Sequence, residues 1–323
     1  MTKLNVLIAG STGYIGIQLI KLLINHKNVN IKYLCGSTSI GKKIGHFDKT
    51  LVNKKLPNII KFNFKLLNSI DVVFTALPNG EAQKISNLLL PNNILIDLSA
   101  DFRLSKAKDF FKWYKIKHKS IKNIKKSIYA LPEISKKNIR KYKIISCPGC
   151  YPTSIQIPLI PLLEKKMINS NNIIIDSKSG YSGAGKNIKK KFNYKNLFKS
   201  MSAYGVGSHR HTVELDQEFS KISNKEVNVS FTPHLIPMFR GILSTIYIET
   251  NKNFTARKIY EALKRCHKKN SFVKLAKFNT SIGTANVMNT NFCKISVCKN
   301  RKKNKVIILS AIDNLIKGAS GQA

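Results

Sequence analysis

Two short stretches carry the residue types that covalent catalysis uses. The first is Cys147-Pro148-Gly149-Cys150-Tyr151-Pro152-Thr153, between the strand predicted at Lys143-Ile144-Ile145-Ser146 and a helix predicted from Pro152 to Met167. A thiol at the start of a helix feels the positive end of the helix dipole and the nearby N–H groups, which favour thiolate and hence a nucleophile. The Cys-x-x-Cys spacing also admits a redox pair or half of a zinc site. No second Cys-x-x-Cys with matching partners exists, which argues against zinc. The second stretch is His209-Arg210-His211-Thr212-Val213-Glu214. On a strand, residues two apart share a face, so either His209 or His211 could serve Cys150 as acid/base.

These groups need a scaffold, and the first half of the chain supplies a recognisable one. Leu4 to Ala9 reads as a buried strand, followed by Gly10-Ser11-Thr12-Gly13-Tyr14-Ile15-Gly16 and a helix with Ile15, Leu19, Leu22 and Leu23 at helical spacing. Glycines so placed let the backbone approach a pyrophosphate at the helix N-terminus. Further strands are predicted at Val29–Cys35, 71–76, 94–98 and 143–146, with helices between them such as 81–90. Alternation of this kind argues for an α/β, doubly wound, Rossmann-type parallel sheet. The second strand ends in Cys35-Gly36-Ser37-Thr38-Ser39, with Lys42 and Lys43 beyond. Hydroxyls and cations, with no carboxylate, suit a 2′-phosphate, so NADP is expected, with Ser37 among its contacts. A thioredoxin-like domain would not begin with such a loop, which puts the nucleophile reading of Cys150 ahead of the redox pair.

After Cys150 the pattern changes to a mixed α+β one. Pro158 and Pro161 are expected to bend or interrupt the helix that follows the cysteine. Strands are predicted at 173–176, 227–232, 242–249, 292–297 and 305–311. A helix over 255–268 has a threonine N-cap and Ile259, Leu263 and Cys266 on one face. The expected division is 1–149 with 312–323 as the dinucleotide-binding domain, and 150–311 as a catalytic and dimerisation domain.

Composition excludes several classes. At 323 residues and 43% hydrophobic, the chain can bury two cores, and it has no apolar run long enough for a membrane span. Residues 1–10 are too short in their apolar part for a signal peptide, so the expected location is cytoplasmic. The net charge of +40 invites a nucleic-acid reading. Yet the lysines are scattered, and runs such as 122–126 and 186–191 read as solvated faces. With Asn and Ile enriched beside them, they point to compositional drift rather than a binding module. Six cysteines in a chain this long do not resemble a secreted disulfide framework.

The ordered motifs add a specific likeness. The glycine loop, Ala76-Leu77-Pro78-Asn79-Gly80, 97–104, Pro148 to Thr153, 179–185, His209 to Glu214, 231–241 and 313–323 together resemble the N-acetyl-gamma-glutamyl-phosphate reductases of arginine biosynthesis, relatives of aspartate-semialdehyde dehydrogenase. The resemblance implies reduction of an acyl phosphate by NADPH through a thioester on Cys150, without a metal, in a homo-oligomer (dimer or tetramer). It implies His211 as acid/base and His209 as a substrate contact. Arg103 would bind the substrate phosphate unless it pairs with Asp97 or Asp101, and Arg240 the carboxylate. Ser182 and Gly183 would close over the cofactor unless they form a simple turn, and Asn314 would meet the nicotinamide amide.

Three departures from that pattern stand out. Cys147 introduces a second thiol with which Cys150 could form a disulfide. Ala130 replaces a glycine in Tyr129-Ala130-Leu131-Pro132-Glu133, predicting strain if the position needs positive φ. The likeness also leads one to expect a short further stretch after Ala323. The rival readings are aspartate-semialdehyde dehydrogenase, a nucleic-acid binder and a non-catalytic dinucleotide sensor.

Overall fold

The computed structural model describes residues 2–135, 138–186 and 199–323, so positions 187–191 of the second lysine run lie outside it. The chain divides into two compact units, residues 1–148 with 319–323, and residues 149–318. The chain returns to the first unit at Ala319, not at the expected residue 312.

In the first unit seven strands form one parallel sheet: β1 (Leu4–Ala9), β2 (Val29–Cys35), β3 (Ile59–Ile60), β4 (Val72–Thr75), β5 (Ile94–Asp97), β6 (Ser127–Tyr129) and β7 (Ile144–Ser146). Their order is β3-β2-β1-β4-β5-β7-β6. The helices are α1 (Tyr14–Leu23), α2 (Glu81–Ser86), α3 (Ala107–Tyr114), α4 (Ile121–Ile124) and α5 (Pro132–Ser135). The unbroken apolar run at 6–9 of β1 has a simple cause. Val6 and Ile8 pack into one core with Ile17 and Ile20 of α1, while Leu7 and Ala9 pack into another with Ala82 and Ile85 of α2. A strand covered on both faces has no polar side to alternate with. Ala319 and Ala323 join the first of these cores.

The predicted helix over 81–90 stops at Ser86, because Asn93 accepts the Leu90 N–H and folds the chain into a turn ahead of β5. Ala130 is buried but is not among the residues with positive φ, so the expected strain is absent.

The second unit holds a mixed sheet of β8 (Ile168–Gly180), β9 (Ser202–Ala203), β10 (Ser230–Ile236), β11 (Ile242–Thr250), β12 (Val273–Leu275), β13 (Cys293–Lys299) and β14 (Lys305–Ile312), in the order β12-β13-β14-β11-β8-β10-β9. Among the described residues its helices are α6 (Cys150–Glu164), α7 (Thr212–Ser223) and α8 (Ala256–His267). Every residue of α6 from Tyr151 to Leu163 is buried. A helix buried all round is a central one, and its Thr153, Ser154 and Gln156 are hydrogen-bonded inside the core. In β11, Ile242, Ser244, Ile246 and Ile248 are buried while Tyr247 is exposed, so one face of this sheet is packed and the other open. Cys266 is exposed, not on the buried stripe of Ile259, Ala262, Leu263 and His267; Thr255 caps α8 as expected, accepting from the Lys258 N–H.

The two prolines do not interrupt α6, which runs through both. Pro161 has no N–H for the carbonyl of Ile157 four residues earlier, and His267 fills that vacancy. Its Nδ1 lies 3.0 Å from Asn270 Nδ2, which must donate, so Nε2 carries the hydrogen and donates to the Ile157 carbonyl at 3.1 Å. His267→Leu should leave a buried carbonyl unsatisfied and lower stability in urea unfolding by about 1–3 kcal/mol. An unchanged midpoint would show that the carbonyl finds another partner.

Candidate active site

Cys150 is the first residue of α6, with Gly149 as N-cap in an extended conformation and no side-chain cap. That end of a buried 15-residue helix presents N–H groups without helical acceptors, so negative charge on sulfur is favoured there. Gly149 is required sterically: a Cβ at that position would lie 2.4 Å from His211 Nε2, so the imidazole occupies the space a side chain would fill. Glu214 links the two segments. Its carboxylate is fully buried, accepts the Gly149 N–H at 2.9 Å and stands 3.8 Å from His211 Nε2.

The histidines reach this site differently from the sequence expectation. Neither is on a strand. His211 is the N-cap of α7, and the turn before it brings the two rings to 4.8 Å at 76°. Cys150, His209, Arg210, His211, Tyr151, Tyr204 and Gly183 line one cavity of 340 Å³. The His209 ring packs edge-to-face on Tyr151 and Tyr204. Burial, reinforced by the charge of Arg210, pushes its pKa down to about 4. Tyr204 donates to Tyr151, which donates to the His234 carbonyl. Burial raises both phenols above their usual range, so both remain protonated.

Asn314, Ser182 and Gly183 cluster in the same unit. Asn314 accepts the Gly241 N–H at 2.7 Å and donates to Ser182 Oγ at 2.9 Å. The carboxamide thus ties the 181–184 turn to the start of β11. Arg240 lies outside the cavity lining; it donates to Asn289 and to the buried carboxylate of Asp313.

The first unit holds the remaining expected residues. Gly10 has φ +87°, and its N–H and that of Ser11 both donate to the Cys35 carbonyl. A Cβ on Gly16 would lie 2.2 Å from the Gly10 carbonyl oxygen, so α1 is drawn tightly onto the loop. Ser11 is fully buried and its hydroxyl also bonds Cys35, so it braces the loop to β2. No side chain caps α1 at Gly13. Thr12 lies in the turn, Tyr14 and Ile15 open α1, and the uncapped helix end suits a pyrophosphate. Ser37, Thr38, Lys42 and Lys43 are all exposed past the end of β2. Arg103 is buried, and donates through Nε to the Cys147 carbonyl and through Nη2 to that of Leu98.

Cys147 is the thiol with which the sequence lets Cys150 form a disulfide. It is free and buried, and burial pushes its pKa to about 12, so it stays a neutral thiol at physiological pH. Glu214 and Tyr204 have no role assigned from the sequence. Glu214 was legible, being three residues from His211 at helical spacing. Tyr204 was not, because its partner Tyr151 is 53 residues away.

Comparison with known proteins matches this division. Residues 5–142 match the family model described as "Semialdehyde dehydrogenase, NAD binding domain", and residues 150–314 the one described as "Semialdehyde dehydrogenase, dimerisation domain". Among solved structures, aspartate semialdehyde dehydrogenase II of Vibrio cholerae superposes with a TM-score of 0.72 at 16% identity, over 100% of this chain and 96% of that one. The Candida albicans enzyme solved with NADP gives 0.70 at 17%, over 99% and 96%. The fold is therefore that of the semialdehyde dehydrogenases. Nearer in sequence is the N-acetyl-gamma-glutamyl-phosphate reductase of Afipia carboxidovorans, 40% identical over 98% of this chain and 91% of its own length. The probable chloroplastic enzyme of Oryza sativa is 38% identical over 99% and 77%. The chain belongs to the N-acetyl-gamma-glutamyl-phosphate reductase family. Among the described residues, no helix is long and apolar enough to cross a membrane.

Proposed function

We propose that this protein reduces N-acetylglutamyl 5-phosphate to N-acetylglutamate 5-semialdehyde and phosphate, with NADPH as reductant and Cys150 as nucleophile. The observation that carries the reading is a thiol at the first position of a buried helix, in one cavity with two imidazoles. Cys150 Sγ attacks the acyl carbon while His211 takes the thiol proton. The carbon–oxygen bond to phosphate breaks, phosphate leaves with the electron pair, and a thioester remains. When bound, the dinucleotide supplies the hydride that takes the thioester carbon to the aldehyde level. The carbon–sulfur bond then breaks, sulfur departs as thiolate, and His211 returns the proton to it.

Gly10 to Gly16 are the proposed pyrophosphate cradle. Ser37 with Lys42 and Lys43 is proposed to favour the 2′-phosphate over a bare ribose. Ser182, Gly183 and Asn314 remain the proposed nicotinamide-side contacts. Arg103 is proposed to bind the substrate phosphate and Arg240 its carboxylate. Both guanidiniums are already oriented by protein acceptors, which pre-organises a planar group with several donors. A second copy of the chain is the proposed cover for the open sheet face around Ile174 and Tyr247, both exposed. The proposed compartment is the cytoplasm, whose reducing conditions suit six free cysteines.

The test is NADPH oxidation with N-acetylglutamyl phosphate and with aspartyl phosphate, repeated with NADH. The acetylated substrate should win by at least about 100-fold in kcat/KM, and NADPH over NADH by at least about 10-fold. Equal turnover of the two acyl phosphates would undo the substrate assignment, and a preference for NADH the cofactor assignment.

A further inference from the structure

His209 offers its cavity a single, fixed polar atom. The backbone N–H of His211 donates to His209 Nδ1 at 3.1 Å. A backbone N–H can only donate, so Nδ1 is the acceptor and the ring hydrogen sits on Nε2. Nδ1 makes the one hydrogen bond of this ring among the described residues, and Nε2 is not a buried, unsatisfied atom. The ring lines the Cys150 cavity, and its edges and faces are packed by Tyr151, Tyr204, His211 and Phe231 at centroid distances of 4.8 to 5.6 Å. Nε2–H is therefore a pre-aligned, uncharged donor open to whatever occupies the cavity.

We infer that Nε2–H of His209 recognises the acyl carbonyl on the substrate's amino nitrogen, and that this contact makes the site select acylated over non-acylated semialdehydes. The inference rests on the functional reading above and deepens it. A neutral donor matches a neutral amide carbonyl. A free α-ammonium would turn N–H against N–H, with the Arg210 cation alongside, and gain nothing. The carboxylate is better served by a guanidinium, and pairing with it would draw a proton onto a ring that burial and Arg210 keep neutral. The contact touches only the substrate tail, so it should govern selectivity and leave the chemistry at sulfur to Cys150 and His211.

The experiment compares N-acetylglutamate 5-semialdehyde with 5-oxopentanoate, the same aldehyde and carboxylate without the acetamido group. Both are oxidised in the reverse direction with NADP⁺ and phosphate. His209→Leu should lower the kcat/KM ratio of the two substrates by about 10-fold, the acetylated one losing far more. His209→Gln, which keeps an N–H near the position of Nε2, should recover a large part of that ratio, and it also guards against a leucine variant that folds badly. If His209→Leu lowers both substrates equally, the histidine serves the carboxylate or the thiol, and the inference falls while the functional reading stands. If the wild-type protein oxidises neither aldehyde, the functional reading falls and takes this inference with it.

Discussion

Cys150→Ser is expected to cut reductase turnover by at least about a thousandfold while leaving the fold intact. The side chain sits at the N-terminus of α6, where a sulfur anion is stabilised by helix N–H groups; a serine hydroxyl there is far harder to ionise. An oxoester, if formed, is also a weaker hydride acceptor than a thioester. Two measurements check this separately. Steady-state turnover with NADPH reports the whole cycle. Intact-protein mass spectrometry after mixing with acyl phosphate, without NADPH, reports the first half-reaction. The wild type should gain one acyl group on Cys150, and the serine variant none. Comparable turnover in the two proteins would remove the thioester from the mechanism.

Glu214 carries the second large effect, as a positioning residue rather than a reacting one. Its two carboxylate oxygens face the Gly149 N–H and His211 Nε2, so one buried group sets both the start of α6 and the imidazole beside it. Glu214→Gln keeps an acceptor for Gly149 and removes the charge. It should lower kcat by about 100-fold, with KM much less affected and with near-normal unfolding. Glu214→Ala removes both, strands the Gly149 N–H in a buried site, and should cost about 1–3 kcal/mol of stability in addition. The separation between the two variants is the informative part. If glutamine and alanine reduce stability equally and kcat only in proportion, Glu214 merely fills space.

Much of this site was legible from residue types and spacing. Cys150 is marked by its place between a strand and a helix, and the His-x-His pair by its proximity to Arg210 and Glu214 in the chain. The reason His209 and His211 meet was not legible. Alternation on a strand and a turn before a helix both bring side chains two residues apart together, and only the backbone hydrogen bonds of α7 distinguish them. The prolines of α6 mislead for a related reason. Their cost is local, but its remedy, His267, lies 110 residues from the carbonyl it satisfies. Cys147 looks like a partner for Cys150 by spacing alone, whereas burial holds it as a neutral thiol.

The amino-acid sequence alone determined the alternation of strands and helices in the first unit, the glycine loop and the candidate for the nucleophile. These follow from short-range effects: apolar periodicity, glycine sterics and helix ends act over a few residues. Tertiary structure alone decided which tautomer His209 adopts, that Tyr204 and Tyr151 share the cavity, and that Glu214 joins the N-cap of one helix to the imidazole at the start of another. Those outcomes depend on burial and on hydrogen-bond partners far apart in the chain, and a linear order of residues does not encode a distance of 3 Å across a folded core.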